Sequence, residues 1–504
     1  MEKQEHNSNS SQGSVSGSSN DDDDDMDSDE KELDPYRPEL ENVTSQTITL
    51  LIPPPNSPPH PRTVYFINDP ELNENHINNK IKTIDVEINE KKYMFLYKAY
   101  KNLPLCLSGP MKYNRVIRSK LFENTNIVWK LMKQDKMFPY LKTLHKFQRF
   151  NHFPMTWELS RKDNLYNNYY AMHQKFPNDF KYMPESYILP RDYEIFSEKI
   201  KNFDINDIYN LWLLKPVASS RGRGIRLLTD VENIPKKILV SHYIHNPHLI
   251  NGRKYDLRIY ILITGYCPLK IYLYDDGLAR FCSEEYNLNP DKMSDRYIHL
   301  TNYSINKTSV NFEQNDSVNE EFGEKWTLFT LRNHFKKNKL DFEKAWSKIK
   351  DIIVKVILSV TGKAIPLIKS FKLSSANLFE LYGVDILLDE TLNPWLMEVN
   401  LNPSLNCDSQ LDLKVKSRLL TDIFNIIGAI PFTHDNKFIP LDKPNEYKDA
   451  VEEGVIESLC EFERPTGGFE RIFPKKDNIE YYRQFIEKPE EENEALWKHM
   501  LSSK

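Results

Sequence analysis

The stretch PWLMEVNLNPSL, residues 394–405, reads as a buried strand that carries two polar residues in an apolar run. Side chains alternate between the faces of a strand, so Glu398 and Asn400, two residues apart, share one face. Burying a carboxylate and an amide without partners is costly, because both groups lose their hydration. The stretch therefore predicts a strand with a partner group opposite this polar face.

The preceding residues supply a candidate for that partner. YGVDILLDETLNPWLMEVN (382–400) reads as strand, polar turn and strand, with Asp385 on the first strand. If the two strands pair, Asp385, Glu398 and Asn400 converge on one point. Oxygen-only ligands suit a hard cation such as Mg²⁺, which bridges to nucleotide phosphates. A hydrogen-bonded polar pair on a half-exposed strand explains Glu398 and Asn400 alone equally well.

Length and composition indicate a soluble, intracellular protein. The 504 residues suffice for roughly three domains, and we find no apolar run of transmembrane length and no signal-peptide core. The five cysteines are scattered through the sequence without a metal-type spacing, which favours a reducing compartment and argues against a disulfide framework. These cysteines are Cys106, Cys267, Cys282, Cys407 and Cys460.

The net charge of −6 hides an asymmetry along the chain. Residues 1–34 carry 12 acidic and 2 basic side chains, and residues 445–504 carry 15 acidic and 9 basic ones. Residues 35–444 therefore hold a surplus of about ten positive charges. The surplus suits an acidic partner such as nucleic acid, an anionic membrane or an acidic peptide. It is equally consistent with a charge that only keeps the domain soluble.

Local patterns predict the organisation of the chain. Residues 1–34 are Ser/Asn/Gly-rich and then acidic, which predicts disorder, and the proline-rich stretch 51–62 predicts an extended linker. We expect folded structure to begin near residue 93. Strands dominate from residue 210, with a hairpin turn at Asp276–Gly277. Apolar spacing predicts a helix over 342–360 and a last helix that ends at Gly428, hence a mixed α/β or α+β fold.

A first polar motif, LWLLKPVASSRGRGIRLL (211–228), combines a strand, a lysine and a Ser/Gly/Arg loop. The backbone N–H groups of such a loop, with Arg221 and Arg223, can cover phosphate groups that Lys215 also contacts. It is not a Walker loop, because the lysine precedes the glycines. Taken alone, this motif is better explained as a flexible hairpin tip than as a phosphate loop.

Two further motifs carry alternating or clustered polar residues. In NGRKYDLRIYILIT (251–264), Lys254, Asp256 and Arg258 form one charged strand face, which suits phosphate binding but also a solvated edge strand. HLTNYSINK (299–307) is a polar cluster to which chemistry alone assigns no role, since a turn explains it too. Taken together, the motifs predict a nucleotide–Mg²⁺ site between two β-rich lobes, and therefore phosphoryl transfer or ATP-driven ligation.

Six stretches in order resemble one known family. They are KPVASSRGRGI, YIHNPHLINGRKYDLRIYI, YLYDDGLARF, HLTNYSINK, ELYGVDILLDETLNPWLMEVNLNPSL and GGFERIFP. This set resembles the tubulin tyrosine ligase-like family, ATP-grasp ligases that add amino acids to tubulin tails, from about residue 92 to 475. HLTNYS followed by NK, with NHFPMTWELSRKDNLYNN (151–168), is similar to the polyglutamylase branch.

The resemblance implies an ATP-grasp-like α/β (α+β) fold with a nucleotide site between two β-rich lobes. The implied domains are a disordered acidic and proline-rich extension (1–62), a small N-terminal domain (92–170), a central ATP-grasp lobe (171–282), a C-terminal ATP-grasp lobe (283–430) and an acidic C-terminal segment (431–504).

The resemblance also implies site residues. Lys254, Arg258 and Glu398 would be catalytic, with Arg258 facing the reacting phosphate. Many members have Gln where this chain has Ser241. ATP would be bound by Lys215, Arg221, Gly222, Ser241, His242, Tyr243, Ile244, Lys254, Tyr255, Asp256, Thr301 and Asn302. Mg²⁺, as two ions, would be bound by Asp385, Glu398 and Asn400, and free L-glutamate by Arg280, Tyr303, Ser304 and Lys325.

The implied function is an ATP-dependent tubulin glutamate ligase, a polyglutamylase that forms carbon–nitrogen bonds. ATP would phosphorylate a glutamate γ-carboxylate in an acidic tubulin tail, and the amine of free glutamate would attack the acyl-phosphate. The implied partners are tubulin or microtubules and glutamate, without nucleic acid or membrane. The implied state is a monomer in the cytoplasm on the microtubule cytoskeleton, with a cilium or basal body as a further location.

Two alternatives remain at this point. The same ligase chemistry could use glycine or a non-tubulin acceptor, and Arg280, a cation suited to a side-chain carboxylate, favours glutamate. An inactive microtubule-binding module would have lost a metal ligand or a phosphate-binding lysine. The residues in question, Asp385, Glu398, Asn400, Lys215 and Lys254, are all present.

Overall fold

The computed structural model describes residues 43–502 apart from 56, 59, 70–80, 90–93, 101–102, 120, 124, 132–133 and 432–446. The predicted disorder of residues 1–34 lies outside this part of the chain. The described strands are β1 (Gln46–Leu51), β2 (Thr83–Ile88), β3 (Leu96–Ala99), β4 (Ile117–Arg118), β5 (Ile127–Trp129), β6 (Arg149–Phe150), β7 (Ser186–Leu189), β8 (Trp212–Lys215), β9 (Arg226–Leu227), β10 (Ile238–His242), β11 (Leu249–Ile250), β12 (Arg253–Tyr266), β13 (Leu269–Phe281), β14 (Lys325–Thr327), β15 (Glu380–Leu388), β16 (Pro394–Leu401) and β17 (Phe469–Phe473).

Helices alternate with these strands, so the architecture is mixed α/β. The predicted helix at 342–360 is confirmed and continues to Ser370. The predicted stop at Gly428 is also confirmed, since its φ of 57° ends the helix after Ile427. The prediction that this helix is the last one is wrong, because three described helices follow it. The described helices are α1 (Leu105–Tyr113), α2 (Gln134–Thr143), α3 (Trp157–Ser160), α4 (Lys162–Lys175), α5 (Tyr193–Lys199), α6 (Arg296–His299), α7 (Tyr303–Asn306), α8 (Leu328–Lys337), α9 (Phe342–Ser370), α10 (Gln410–Ile427), α11 (Ala450–Phe462), α12 (Ile479–Arg483) and α13 (Glu491–Ser502).

The strands form four sheets. The order is β1-β2 in the first, β4-β3-β5-β6 with parallel pairing in the second, and β7-β10-β8-β9 in the third. The largest sheet runs β14-β13-β12-β15-β16, with β11 added to β12 and β17 to β13. Of the helices that the structure describes, none is long and apolar enough to cross a membrane.

Strand β12 shows why the large sheet is buried on both faces. Leu257, Ile259 and Ile261 pack in the core cluster that contains helix α9, whereas Tyr260 and Leu262 pack in the cluster that contains helix α10. A sheet covered on both faces reads as a continuous apolar run, as this strand does beyond residue 258.

Three sequence predictions need correction. Folded structure begins before residue 93 and inside the predicted 1–62 extension, because β1 pairs antiparallel with β2. The proline-rich stretch is not a free linker, since the Leu51 N–H donates to Thr63 O at 2.9 Å and returns the chain to the sheet. Proline has no backbone N–H group to donate to a β-sheet. The proline-rich composition therefore did not predict that the chain rejoins the sheet here.

The predicted boundary at residue 282 divides one sheet. Strands β12 and β13 pair with each other, and β12 also pairs with β15, so residues 253–281 belong with the later strands. The predicted turn at Asp276–Gly277 is wrong for the same reason, because both residues lie within β13 and the chain turns at Cys267–Pro268. Asp276 accepts a hydrogen bond from the Leu328 N–H instead.

The acidic C-terminal segment is an integral part of the fold. Strand β17 extends the large sheet at β13, and helix α11 contributes Glu461 to a buried ion pair with Lys270 of β13, with Nζ and Oε2 2.7 Å apart. Thr264 and Tyr272 donate hydrogen bonds to the other oxygen of this carboxylate. A charge so enclosed is stable only because a cation and two hydroxyl groups replace its hydration.

We predict that Lys270→Met destabilises the protein by about 3–5 kcal/mol, because Glu461 keeps a buried charge without its cation. Adding Glu461→Gln should recover most of this loss. Urea unfolding followed by circular dichroism measures both. The control is Lys201→Met, which removes an exposed pair with Glu198 and should leave the midpoint unchanged. Equal midpoints for Lys270→Met and Lys201→Met would contradict the prediction.

Candidate active site

The two strands named at the outset do pair, and their polar residues meet. In the β15–β16 ladder Asp385 lies opposite Glu398, and Gly383 lies opposite Asn400. The Asn400 amide Nδ2 donates to Glu398 Oε1 at 3.1 Å and to Asp385 Oδ2 at 3.4 Å. The register shifts between Asp385 and Ile386, and such a bulge re-aims side chains at functional sites.

Two arginines compensate the charge of Asp385. Arg258, opposite it on β12, donates through Nε to Oδ1 at 2.6 Å and through Nη2 to Oδ2 at 3.1 Å. Arg280 of β13 lies 2.9 Å from Oδ2 and also donates through Nε to Asp256 Oδ1 at 2.9 Å. Burial alone would raise the pKa of Asp385, but the two guanidinium groups outweigh it and hold the pKa well below its usual range.

Sequence reasoning missed Lys162, which contacts the same cluster. Its Nζ lies 3.2 Å from Glu398 Oε2 and donates to Ser219 O at 3.0 Å. A signal was available, because Lys162 precedes Leu165 and Tyr166 at helical spacing and therefore lies on the buried face of α4. A lysine on an apolar helix face needs an anionic partner, and here the partner is a carboxylate that sequence reasoning had assigned to metal binding.

A cleft that opens to solvent, with an empty volume of about 700 Å³, lies beside these residues. Apolar side chains, among them Leu213, Ile225 and Met397, line part of the wall. Ten of the predicted site residues also line it, namely Lys215, His242, Tyr243, Ile244, Lys254, Asp256, Thr301, Asn302, Asp385 and Glu398.

Two buried lysines line the cavity, and no carboxylate in the described part of the chain lies within salt-bridge distance of either. Burial lowers the pKa of Lys215 to about 8, with a further contribution from the charge of Lys162, and burial likewise lowers the pKa of Lys254 to about 8. Burial destabilises the charged form of each lysine, and a bound anion would stabilise that form again. The two lysines therefore predict that the cavity takes an anionic ligand.

A hydrogen-bond chain orients Lys254. Its Nζ donates to the Tyr243 hydroxyl at 3.0 Å and to His299 O at 3.1 Å. The Tyr243 hydroxyl lies 3.0 Å from His299 Nδ1, and His299 Nε2 lies 3.3 Å from Lys292 O. Burial and the nearby Lys254 charge lower the pKa of His299 to about 4, so the ring is neutral. A proton on Nε2 satisfies every contact in the chain, and the ammonium is held in one position.

The Ser/Gly/Arg loop lies against the HLTNYS segment. Arg221 and Gly222 have positive φ values of 59° and 70°. A Cβ at position 222 would lie 2.7 Å from Asn302 Oδ1, so only glycine allows this approach. The Ser304 hydroxyl donates to Arg221 O at 3.1 Å. Arg221 is exposed at the tip of the loop, and its side chain does not line the cavity.

Two predicted nucleotide residues lie behind the cavity wall. Ser241 is buried and accepts a hydrogen bond from the Ser186 hydroxyl at 2.9 Å. Tyr255 points to the opposite face of β12, where its hydroxyl lies 2.9 Å from His248 Nδ1. The alternation of side chains along a strand accounts for both positions, since each residue neighbours a cavity-lining one.

The four predicted glutamate contacts lie close to one another on neighbouring elements. Arg280 and Lys325 are direct cross-strand partners on β13 and β14. Lys325 Nζ lies 3.6 Å from the ring centre of Tyr303, and its ammonium pairs with buried Asp412, which also binds Lys416. Ser304 follows Tyr303 directly at the loop contact. The arrangement forms a cationic group beside the Asp385 cluster.

Sequence comparisons agree with this geometry. Residues 141–437 match the sequence model of the tubulin-tyrosine ligase family. The chain is 35% identical to human tubulin polyglutamylase TTLL5 over 412 residues, 72% of this chain and 32% of that protein. It is 38% identical to mouse tubulin monoglutamylase TTLL4 over 295 residues, 58% and 24% of the two chains.

A Caenorhabditis elegans relative, tubulin polyglutamylase ttll-4, is 33% identical over 384 residues, 69% of this chain and 62% of that one. By contrast, the chain spans only about a third of the length of human TTLL5. The family match covers more than half of the chain and includes every strand that carries the Asp385 cluster. The chain belongs to the tubulin-tyrosine ligase family.

Proposed function

We propose that this protein is an ATP-dependent tubulin glutamate ligase, which joins free glutamate to γ-carboxylates in acidic tubulin tails. The observation that carries the proposal is the position of one cavity between two buried lysines and the Asp385–Glu398–Asn400 group. Phosphoryl transfer needs cations on one side of the phosphates and hard oxygen ligands on the other. The names of the relatives, polyglutamylases and monoglutamylases of tubulin, support the choice of reaction.

The donor set fits Mg²⁺. Two carboxylates and one amide within hydrogen-bond reach of each other offer only hard ligand atoms once the Asn400 amide presents its oxygen. We propose that Asp385, Glu398 and Asn400 hold the metal, as two ions. Bound Mg²⁺ would offset the negative charge of the phosphate oxygens.

The nucleotide would lie in the cavity between β-rich lobes of ATP-grasp type. Lys215 and Lys254 bind phosphate oxygens, and the apolar wall with Tyr243 and Ile244 encloses the base. Thr301 and Asn302 border the same space. Gly222 lies against Asn302, so the loop with Arg221 and Gly222 would cover the phosphates from that side. The hydrogen-bond chain through Tyr243 and His299 supports a catalytic role for Lys254, because it holds the ammonium in place.

The incoming glutamate would bind at the cationic group. We propose that Arg280, Lys325, Tyr303 and Ser304 bind it; Arg280 and Lys325 are neighbours across two strands, Lys325 contacts Tyr303, and a guanidinium matches a carboxylate in geometry. Arg258 lies on the same side and faces the reacting phosphate. In this arrangement the free amine attacks an acyl-phosphate on the tail, and the surrounding cations stabilise the charge that grows on oxygen.

The acceptor and the location follow from charge and from the relatives. Residues 35–444 carry a surplus of about ten positive charges, which attracts the acidic tails of tubulin. We propose a monomer that acts on microtubules in the cytoplasm, including those of a cilium or basal body, and that binds neither nucleic acid nor membranes.

The reaction is tested by intact-mass spectrometry of tubulin incubated with the protein, Mg²⁺-ATP and equal glutamate, glycine and tyrosine. We expect mass steps of glutamate residues only. Glu398→Gln should lower the rate by at least about 100-fold, because it removes a charged ligand. The control is Glu390→Gln, an exposed carboxylate in the turn of the same hairpin, which should retain the wild-type rate.

Glycine steps would overturn the assignment of the amino-acid pocket and keep the ligase chemistry. Mass steps that persist in Glu398→Gln would overturn the role of the β16 carboxylate. An absence of any step, with ATP still protecting the protein against heat, would overturn tubulin as the acceptor. Each outcome thus bears on a different part of the proposal.

Nucleotide binding should take up protons above pH 8. The pKa of Lys254 is about 8 in the free protein, and bound phosphate should raise it towards its usual value. Between these two values the complex holds a proton that the free protein has lost, so affinity falls as the pH rises. Isothermal calorimetry at pH 8.5, in two buffers of different ionisation enthalpy, should report an uptake of roughly one to two protons, because Lys215, whose pKa is also about 8, contributes as well.

A Lys254→Met variant should show a smaller uptake, and Lys237→Met, which removes an exposed lysine before β10, should match the wild type. Identical binding enthalpies of the wild type in both buffers would show that no lysine in the cavity changes its protonation on binding.

A further inference from the structure

Two cysteines that lie far apart in the sequence meet beside the loop that leaves strand β16. Cys106 Sγ donates to Leu405 O at 3.1 Å, and Cys407 Sγ donates to the same carbonyl at 3.4 Å. Both sulfur atoms thus lie within 3.4 Å of one carbonyl oxygen, which brings the two thiols together. Both thiols are free, so the fold holds a reduced dithiol at this position.

The two thiols differ in access. Cys106 is completely buried on helix α1, which packs against helix α10. Cys407 is only half-buried and lies in the irregular stretch 402–409 between β16 and α10. A dissolved oxidant can therefore reach Cys407 but not Cys106. The order of any oxidation is set by this difference.

The charges and hydrogen bonds around the two thiols also favour oxidation of Cys407 before Cys106. The hydrogen bond from Cys106 and then the nearby Lys416 ammonium lower the pKa of Cys407, against burial and the Asp412 charge. The same thiol–thiol hydrogen bond and burial raise the pKa of Cys106. Lys416 Nζ is fixed 2.6 Å from Asn406 O, the residue next to Cys407. An accessible, more acidic thiol beside a buried one is the usual arrangement of a redox-responsive cysteine and its resolving partner.

We propose that Cys407 and Cys106 form a peroxide-sensitive modification site that closes to a disulfide. The Cys407 thiolate attacks one oxygen of hydrogen peroxide, which gives a sulfenic acid and, with one proton, water. The Cys106 sulfur then attacks the sulfenic sulfur, its proton leaves with the hydroxyl group as a second water, and the S–S bond forms. Peroxide is the oxidant, and the two thiols together lose two hydrogen atoms.

The bond would join helix α1 to the loop behind the β16 ligand strand. The loop lacks regular hydrogen bonding between residues 403 and 407, so it can shift to bring the sulfurs to bonding distance. Oxidation removes both thiol protons, and Leu405 O loses both donors. The cross-link spans most of the described chain, and we therefore expect the oxidised protein to melt at a higher temperature than the reduced one.

The experiment treats the reduced full chain with hydrogen peroxide, blocks the remaining thiols with iodoacetamide and maps peptides without reduction. We expect a Cys106–Cys407 cross-linked peptide and an intact mass lower by two hydrogens, both reversed by a thiol reductant. This readout is independent of the ligase reaction, so it stands or falls separately from the proposed function. The wild-type chain suffices, whatever the variants do to folding.

Two variants test the order of the steps. In Cys106→Ser, dimedone should trap Cys407 as a sulfenic acid, whereas in Cys407→Ser the buried Cys106 should remain unlabelled. The matched control is Cys267→Ser, which removes another half-buried cysteine and should leave the cross-link intact. Equal dimedone labelling of Cys106 and Cys407, or a cross-link from Cys407 to any other cysteine, would overturn the proposal.

Discussion

The buried carboxylate of Asp385 is the constraint on which the centre of this protein depends. An isolated charge in a sheet covered on both faces is unstable, and two guanidinium groups from β12 and β13 remove that instability. Gly383 makes the contact possible, since a Cβ there would lie 3.1 Å from the Arg258 side chain and 2.8 Å from Pro403. The ion pairs thereby fix the lateral order of neighbouring strands.

Each of the four adjacent strands β13, β12, β15 and β16 contributes to one polar layer. Arg280, Asp256 with Arg258, Asp385, and Glu398 with Asn400 follow one another across the sheet. Arg258 and Arg280 offset the charges of Asp256 and Asp385, and Lys162 offsets that of Glu398. The cavity is lined by both signs of charge, because Asp256, Asp385 and Glu398 of this layer face it together with Lys162, Lys215 and Lys254.

Local sequence patterns predicted the features that are determined by residues close together in the sequence. The β15–β16 hairpin, the helix from residue 342 and the stop at Gly428 follow from alternation, helical spacing and glycine. Pairings between distant segments were not predictable from local pattern, and this explains the missed strand β1, the misplaced boundary at 282 and the Cys106–Cys407 contact. Lys162 was missed because its partner, Glu398, is distant in the sequence.

The position of β17 has a consequence for synthesis on the ribosome. Strand β13 is complete at residue 281, but the strand that covers part of its outer edge begins at residue 469. At about 5–20 residues per second, translation of the intervening ~190 residues takes roughly 10–40 s. During that interval the Ile271–Tyr274 edge has unpaired backbone groups, which invite association with other chains. The nascent chain therefore exposes this edge until residues 469–473 are made and pair with it.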